Sequence, residues 1–119
     1  MAALQHKALS SPDETRAIEK GTIEIVHLDK GTVMRTVFQP GWRWSECVKP
    51  VAGTDSCQTH HFGYCISGRM HITMDSGEEM DVGPGDAIEI PPGHDALVVG
   101  NEPYVGIDVS GADTYARRA

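Results

Sequence analysis

The chain has 119 residues, enough for one domain with its own core and too few for two. Ten Lys and Arg against 17 Asp and Glu leave a net charge of −7, with the basic residues scattered, which argues against nucleic acid and anionic membrane surfaces as partners. No apolar run nears the roughly 18 residues of a membrane helix, and the first residues lack a signal-peptide layout. The sequence therefore reads as cytoplasmic, where the three cysteines Cys47, Cys57 and Cys65 are core residues or ligands rather than a disulfide framework.

In chain order, Ser11-Pro12-Asp13-Glu14 has the chemistry of a helix start, with Ser11 as cap and Pro12 in the first turn. This predicts one or two helical turns inside an N-terminal extension, residues 1–21. Over the whole chain Val and Ile number 18 against four Leu, a balance that suits pleated surfaces. Strands are predicted over 22–28, 32–38, 42–47, 59–66, 69–74, 86–90, 95–99 and 104–109. Turn chemistry separates them, as in Asp29-Lys30-Gly31, Ser67-Gly68, Asp75-Ser76-Gly77, Gly83-Pro84-Gly85 and Pro91-Pro92-Gly93. Short strands at this spacing predict an all-β sandwich or barrel over 22–110, with a tail over 111–119. A jelly roll would deal with the sheet edges.

Two stretches stand out inside this frame. Trp42-Arg43-Trp44, read as strand, puts both indoles on one face, where they wall a ligand cavity, plug the core or fill a dimer interface. Met70, Ile72 and Met74 alternate with Arg69, His71 and Thr73, one buried face and one wet face. Trp42, Trp44, Met70 and Met74 are thus the candidate lining of a pocket for an apolar or planar molecule. The connection 49–61 gathers Asp55, Cys57, His60 and His61, and His94 follows the Pro-Pro-Gly turn. His27 and His71 read as solvent-facing strand residues.

Gly85-Asp86-Ala87-Ile88-Glu89-Ile90-Pro91-Pro92-Gly93 resembles the second motif of the cupins, Gly-x5-Pro-x-Gly, and 61–70 resembles the end of their first. The likeness spans about residues 32–109 and implies a single-domain, double-stranded jelly-roll β-barrel. It also implies a divalent metal held by two His and a Glu from the first motif and a His from the second. Here every ligand position differs. His61 stands in the Glu place, Cys57 and Asp55 in the two His places, and Ala96 in that of the second-motif His, with His94 two residues earlier.

The replacements can still ligate a metal. Thiolate and imidazole suit zinc or another borderline ion, so Zn, Fe, Mn, Ni and Cu are all open. The expected set is Cys57, His61 and His94, with Asp55 or His60 as a fourth ligand. Strand register leaves open whether His60 or His61 points inward. Two functions follow. One is a small metal-dependent enzyme of dioxygenase or isomerase type, with no catalytic residue assigned. The other is a non-catalytic small-molecule or sensor protein without metal. Small cupins frequently pair, and the resemblance implies a homodimer.

Overall fold

The computed structural model describes residues 4–110 and Tyr115. It is built from nine strands and two single-turn helices. A six-stranded antiparallel sheet holds β1 (Glu14–Ile18), β2 (Gly21–Leu28), β3 (Gly31–Phe38), β9 (Tyr104–Asp108), β4 (His61–Ser67) and β7 (Ala87–Ile90), in that spatial order. A three-stranded sheet holds β6 (Glu79–Val82), β5 (Arg69–Met74) and β8 (His94–Val99). This is the all-β jelly roll the sequence implied.

The core lies between the sheets and comes from alternate residues, as period-two geometry requires. Strand β9 shows it plainly: Tyr104, Gly106 and Asp108 are buried, while Val105 and Ile107 are half-buried on the opposite face. Ile23 and Ile25 of β2, Met34 and Phe38 of β3, and Met70 and Ile72 of β5 fill the interior in the same way.

Three segments differ from the sequence reading. Residues from Glu14 form strand β1, paired with β2 from Glu14↔Ile25 to Ile18↔Gly21, where a short helix was expected. A cap signal needs an apolar helical stripe behind it. Glu14–Ile18 instead alternates half-buried and exposed residues, a strand pattern. The turn into β2 is made by Lys20 at φ 56.

The second is 42–47, expected as a strand. The chain there makes α1 (Trp44–Cys47), followed by α2 (Lys49–Ala52). Trp44, Cys47 and Val48 are buried together, and their i, i+3, i+4 spacing is helical. The Trp-Arg-Trp alternation hid that stripe. Asp95 accepts the Ser45 N–H at 3.0 Å, satisfying one orphan donor of the first turn. Pro50 sits in the first turn of α2, and Gly53, at φ 75, ends it. Strand β6 also lies outside the predicted strands. Its burial pattern, exposed until Val82, gives no alternation to read.

Gly63 sets the spacing on which the site depends. It lies on the inner face of β4, two residues beyond His61, and pairs with Asp108. A Cβ built there would meet the Ile107 carbonyl oxygen at 1.8 Å and the Asp108 Cα at 3.0 Å. Only a residue without a side chain lets β9 approach this closely. That approach brings Asp108 alongside His61.

Candidate metal centre

Three of the five candidate ligands converge. One donor atom each from Cys57, His61 and His94 lies within 4.8 Å of the others. Cys57 Sγ and His61 Nε2 are 3.7 Å apart, and the two imidazole centroids 5.2 Å. Cys57 reaches this point from the loop before β4. It forms an isolated bridge with His94, donating its N–H to the His94 carbonyl at 2.7 Å and accepting the Gly93 N–H at 2.7 Å. The loop is pinned one residue earlier, where the Ser56 hydroxyl donates to Asp75 at 2.8 Å.

Each imidazole has its second nitrogen engaged. His61 Nδ1 donates to Asp108 Oδ2 at 2.5 Å, and His94 Nδ1 donates to the Pro91 carbonyl at 2.9 Å. Carboxylate and carbonyl oxygens can only accept, so Nδ1 carries the proton in both rings and Nε2 is left as ligand. In a tetrahedral zinc site, bonds of 2.3 Å to sulfur and 2.0 Å to nitrogen put neighbouring ligand atoms about 3.5 Å apart. The Cys57–His61 separation meets that already, and the wider spans need to close by about 1 Å. The donor set therefore fits a borderline divalent ion, with a fourth position open.

Charge is arranged to match. Burial pushes the Cys57 thiol up, but hydrogen bonds and positive charge from His61 and His94 outweigh it and bring the thiol down to about 6. Burial pushes His61 down, and its bonds to Asp108 and Cys57 reverse this, raising it to about 9. Without an ion the pair is a buried thiolate–imidazolium contact, which carries one proton more than a metal site.

The remaining candidates lie elsewhere. Asp55 has a side chain 109% exposed and sits 3.9 Å from Lys49. It is on the outer turn of the loop, ahead of the Ser56 anchor, and no part of the cluster. His60 alternates away from His61 and pairs with Glu89 on the outer face at 3.0 Å, so register chooses His61 as the inward ring. His71 stands outside as expected, between Asp81 at 2.7 Å and Glu79 at 2.9 Å. Asp108 and Tyr115 were missed. Asp108 had a signal, a carboxylate on the Tyr104 face of a predicted strand. Tyr115 had none.

A cavity of about 50 Å³ adjoins the cluster. His61, His94 and Asp108 give it one polar end, and Phe38, Trp42, Met70, Ile72, Ile90 and Tyr104 are among its apolar walls. Of the four expected lining residues, Trp42 and Met70 are there. Trp44 is turned into the core by the α1 helix, and Met74 packs half-buried against that core. Trp42 stacks on Phe38 with centroids 3.9 Å apart. Cys57 does not line the cavity, so the imidazoles face a guest and the thiol lies behind them.

The family model of the cupin domain matches residues 47–110, more than half of the chain. The chain belongs to the cupin family. Solved structures agree at the level of fold. The polyketide cyclase RemF from Streptomyces resistomycificus is similar with a TM-score of 0.63 at 16% identity, over 92% of this chain and 80% of that one. A protein of unknown function from Rhizobium leguminosarum bv. viciae reaches 0.62 at 16% identity, over 92% and 97%. KdgF from Halomonas sp. reaches 0.57 at 19% identity, over 82% and 84%. No curated protein sequence matches the chain. In this cupin the candidate ligand set is Cys–His–His, placed differently from the three-His, one-Glu pattern the family resemblance implied. Among the described residues, no helix is long and apolar enough to cross a membrane.

Proposed function

We propose that this cupin holds one divalent transition ion on Cys57, His61 and His94 and turns its open coordination side toward a small molecule in the barrel. The convergence of three donor atoms, with both Nδ1 protons already committed, carries the reading. When bound, the ion would supply Lewis acidity toward a guest oxygen, the chemistry of an isomerase type of reaction, and a dioxygenase type would require a redox-active ion such as iron in the same place. His61 and His94 hold the ion at the polar end of the cavity, and the apolar walls exclude water from the guest. Zinc is the ion that thiolate plus imidazole favours, with Fe, Mn, Ni and Cu as competitors. The polyketide cyclase among the structural neighbours supports an enzyme only through shared fold. Three buried free thiols support a reducing compartment, hence the cytoplasm.

Cobalt titration of metal-stripped protein tests this. One equivalent should bind with a thiolate-to-cobalt charge-transfer band, absent from Cys57→Ser, and zinc should displace it. Binding below one equivalent, or a band that survives Cys57→Ser, refutes the site. The reading of a metal-free binding protein draws on the apolar walls and predicts ligand binding indifferent to chelators.

We also propose a second copy of the chain as partner. Phe62, Tyr64 and Ile66 of β4 are 53%, 49% and 47% exposed in one row at the outer face of the large sheet. The charges around the row are paired on their own chain, Glu89 with His60 and Arg35 with Glu24. Two chains of net charge −7 can meet there without burying a lone charge. Light scattering should give twice 12.9 kDa, falling to 12.9 kDa for Tyr64→Lys; a wild-type monomer ends the proposal.

A further inference from the structure

Tyr115 is buried in the barrel, although the strands end at Asp108. Its ring stands edge-on to the His61 imidazole at 5.0 Å and is tilted against Phe38 at 6.3 Å. It lines the same cavity. Its carbonyl accepts a hydrogen bond from Arg16 Nη1 at 2.6 Å, and Glu14 holds that guanidinium through Nε at 2.7 Å. A residue beyond the barrel's last strand is thus hooked to the first strand, with its phenol at the candidate metal centre.

Volume decides what this means. The cavity of about 50 Å³ has room for an ion and a water or two. An apolar cavity of roughly 150 Å³ takes up benzene, about three times the space left beside Tyr115. A ring-sized guest and the Tyr115 ring cannot occupy the site together. The walls around Tyr115 are already built for a ring: His61 edge-on, Phe38 and Trp42 as a stacked pair, Tyr104 beyond. Among the described residues no Lys or Arg lines the cavity, and the one carboxylate there, Asp108, is bound to His61. A sugar acid or dicarboxylate would meet there only the His61 imidazolium, whose charge is already matched by Asp108 and the Cys57 sulfur.

We propose that Tyr115 occupies the subsite of a small phenol or planar enol, and that such a ligand enters by displacing it. The chain's own phenol is the stand-in, and the Arg16 hydrogen bond is the latch. This rests on reading the cavity as the ligand site, and does not need the ion to be bound.

The test uses the full-length protein, metal-stripped and zinc-loaded, with 4-ethylphenol and galacturonate as probes. Calorimetry measures affinity, and amide hydrogen exchange follows the peptide containing Tyr115. The expected result is binding of 4-ethylphenol, no binding of galacturonate, and faster exchange at Tyr115 when the phenol is bound. Arg16→Gln removes the latch and should tighten 4-ethylphenol roughly tenfold, the scale of a hydrogen bond to a charged group. Slower exchange at Tyr115 on binding would make Tyr115 a fixed wall and overturn the proposal. So would an unchanged affinity in Arg16→Gln, or an absence of phenol binding. Zinc affinity measured on the same samples keeps the two readings apart. A protein that binds no zinc but releases Tyr115 to the phenol refutes the metal centre and supports the latch.

Discussion

Replacing His61 with Ala should abolish metal binding and, in the metal-free protein, extinguish the Cys57 thiolate as well. The thiol is buried, and burial alone would raise it above its ordinary 9.0; the His61 and His94 contacts bring it to about 6. With His61 gone, burial prevails over what remains, and thiolate absorbance at pH 7.5 should largely disappear. An ion then loses one imidazole and meets a protonated sulfur, two losses from one substitution. Cobalt affinity should fall by at least a hundredfold, with no charge-transfer band at pH 7.5. A His61→Ala protein that keeps its thiolate absorbance would show that His61 does not control the sulfur.

The wild-type pH dependence follows from the same pair. Between about 6 and 9 the metal-free site holds a thiolate and an imidazolium, and an ion must expel the His61 proton. Affinity should climb about tenfold per pH unit across that window and level off above it. Folding stability behaves otherwise. The lowered Cys57 adds stability that is complete above its ordinary 9.0 and is lost as pH falls through about 6. The raised His61 adds stability that is complete below 6.5 and is lost as pH rises through about 9. From 6.5 to 9 the two slopes have opposite sign and cancel, because the folded chain keeps on imidazole the proton that the unfolded chain keeps on sulfur. This pair contributes no slope to metal-free stability there, while metal affinity changes steeply.

The strands were legible because period-two alternation and glycine turns are local. The cupin motifs then placed Cys57, His61 and His94, and the register that turns His60 out and His61 in had to come from pairing with β7 and β9. Asp55 failed as a ligand for a similar reason. It stands two residues before Cys57, so an extended chain would put both on one face, but the loop bends at the Ser56–Asp75 anchor and turns Asp55 to solvent. Trp44 failed because an alternating triplet and one helical turn share too few residues to be told apart. What no local pattern carries is contact across the chain. Gly63 reads as an ordinary weak strand residue until β9 is laid against it, and Tyr115 reads as tail until Arg16 is found beneath its carbonyl.

Asp108 is where such a contact has the largest functional consequence. Asp108→Asn keeps the shape and removes the charge. The carboxylate is buried beside His61, holds the Nδ1 proton and thereby points the free Nε2 lone pair at the cluster. An amide in its place can offer N–H to Nδ1 instead, which moves the ring proton onto Nε2 and blocks the ligand atom. Outer partners of this kind are worth 10–100-fold in metal affinity, and a zinc competition assay should show a loss in that range at pH 7. Ser110→Ala is the control. Ser110 donates its N–H to Asp108 Oδ1 at 2.8 Å, which the substitution leaves in place; the hydroxyl it removes donates to the His60 carbonyl at 3.0 Å and only at 3.4 Å to Oδ1, so affinity should stay within a few-fold. The pH profile separates positioning from mere loss of packing. Asp108 is a main cause of the raised His61, so in Asp108→Asn the imidazolium gives up its proton earlier and the affinity plateau should begin below 9. A variant with wild-type affinity and a plateau still starting at 9 would mean that His61 keeps its orientation and basicity without the carboxylate. Asp108 would then be a strand-end residue with no part in the centre.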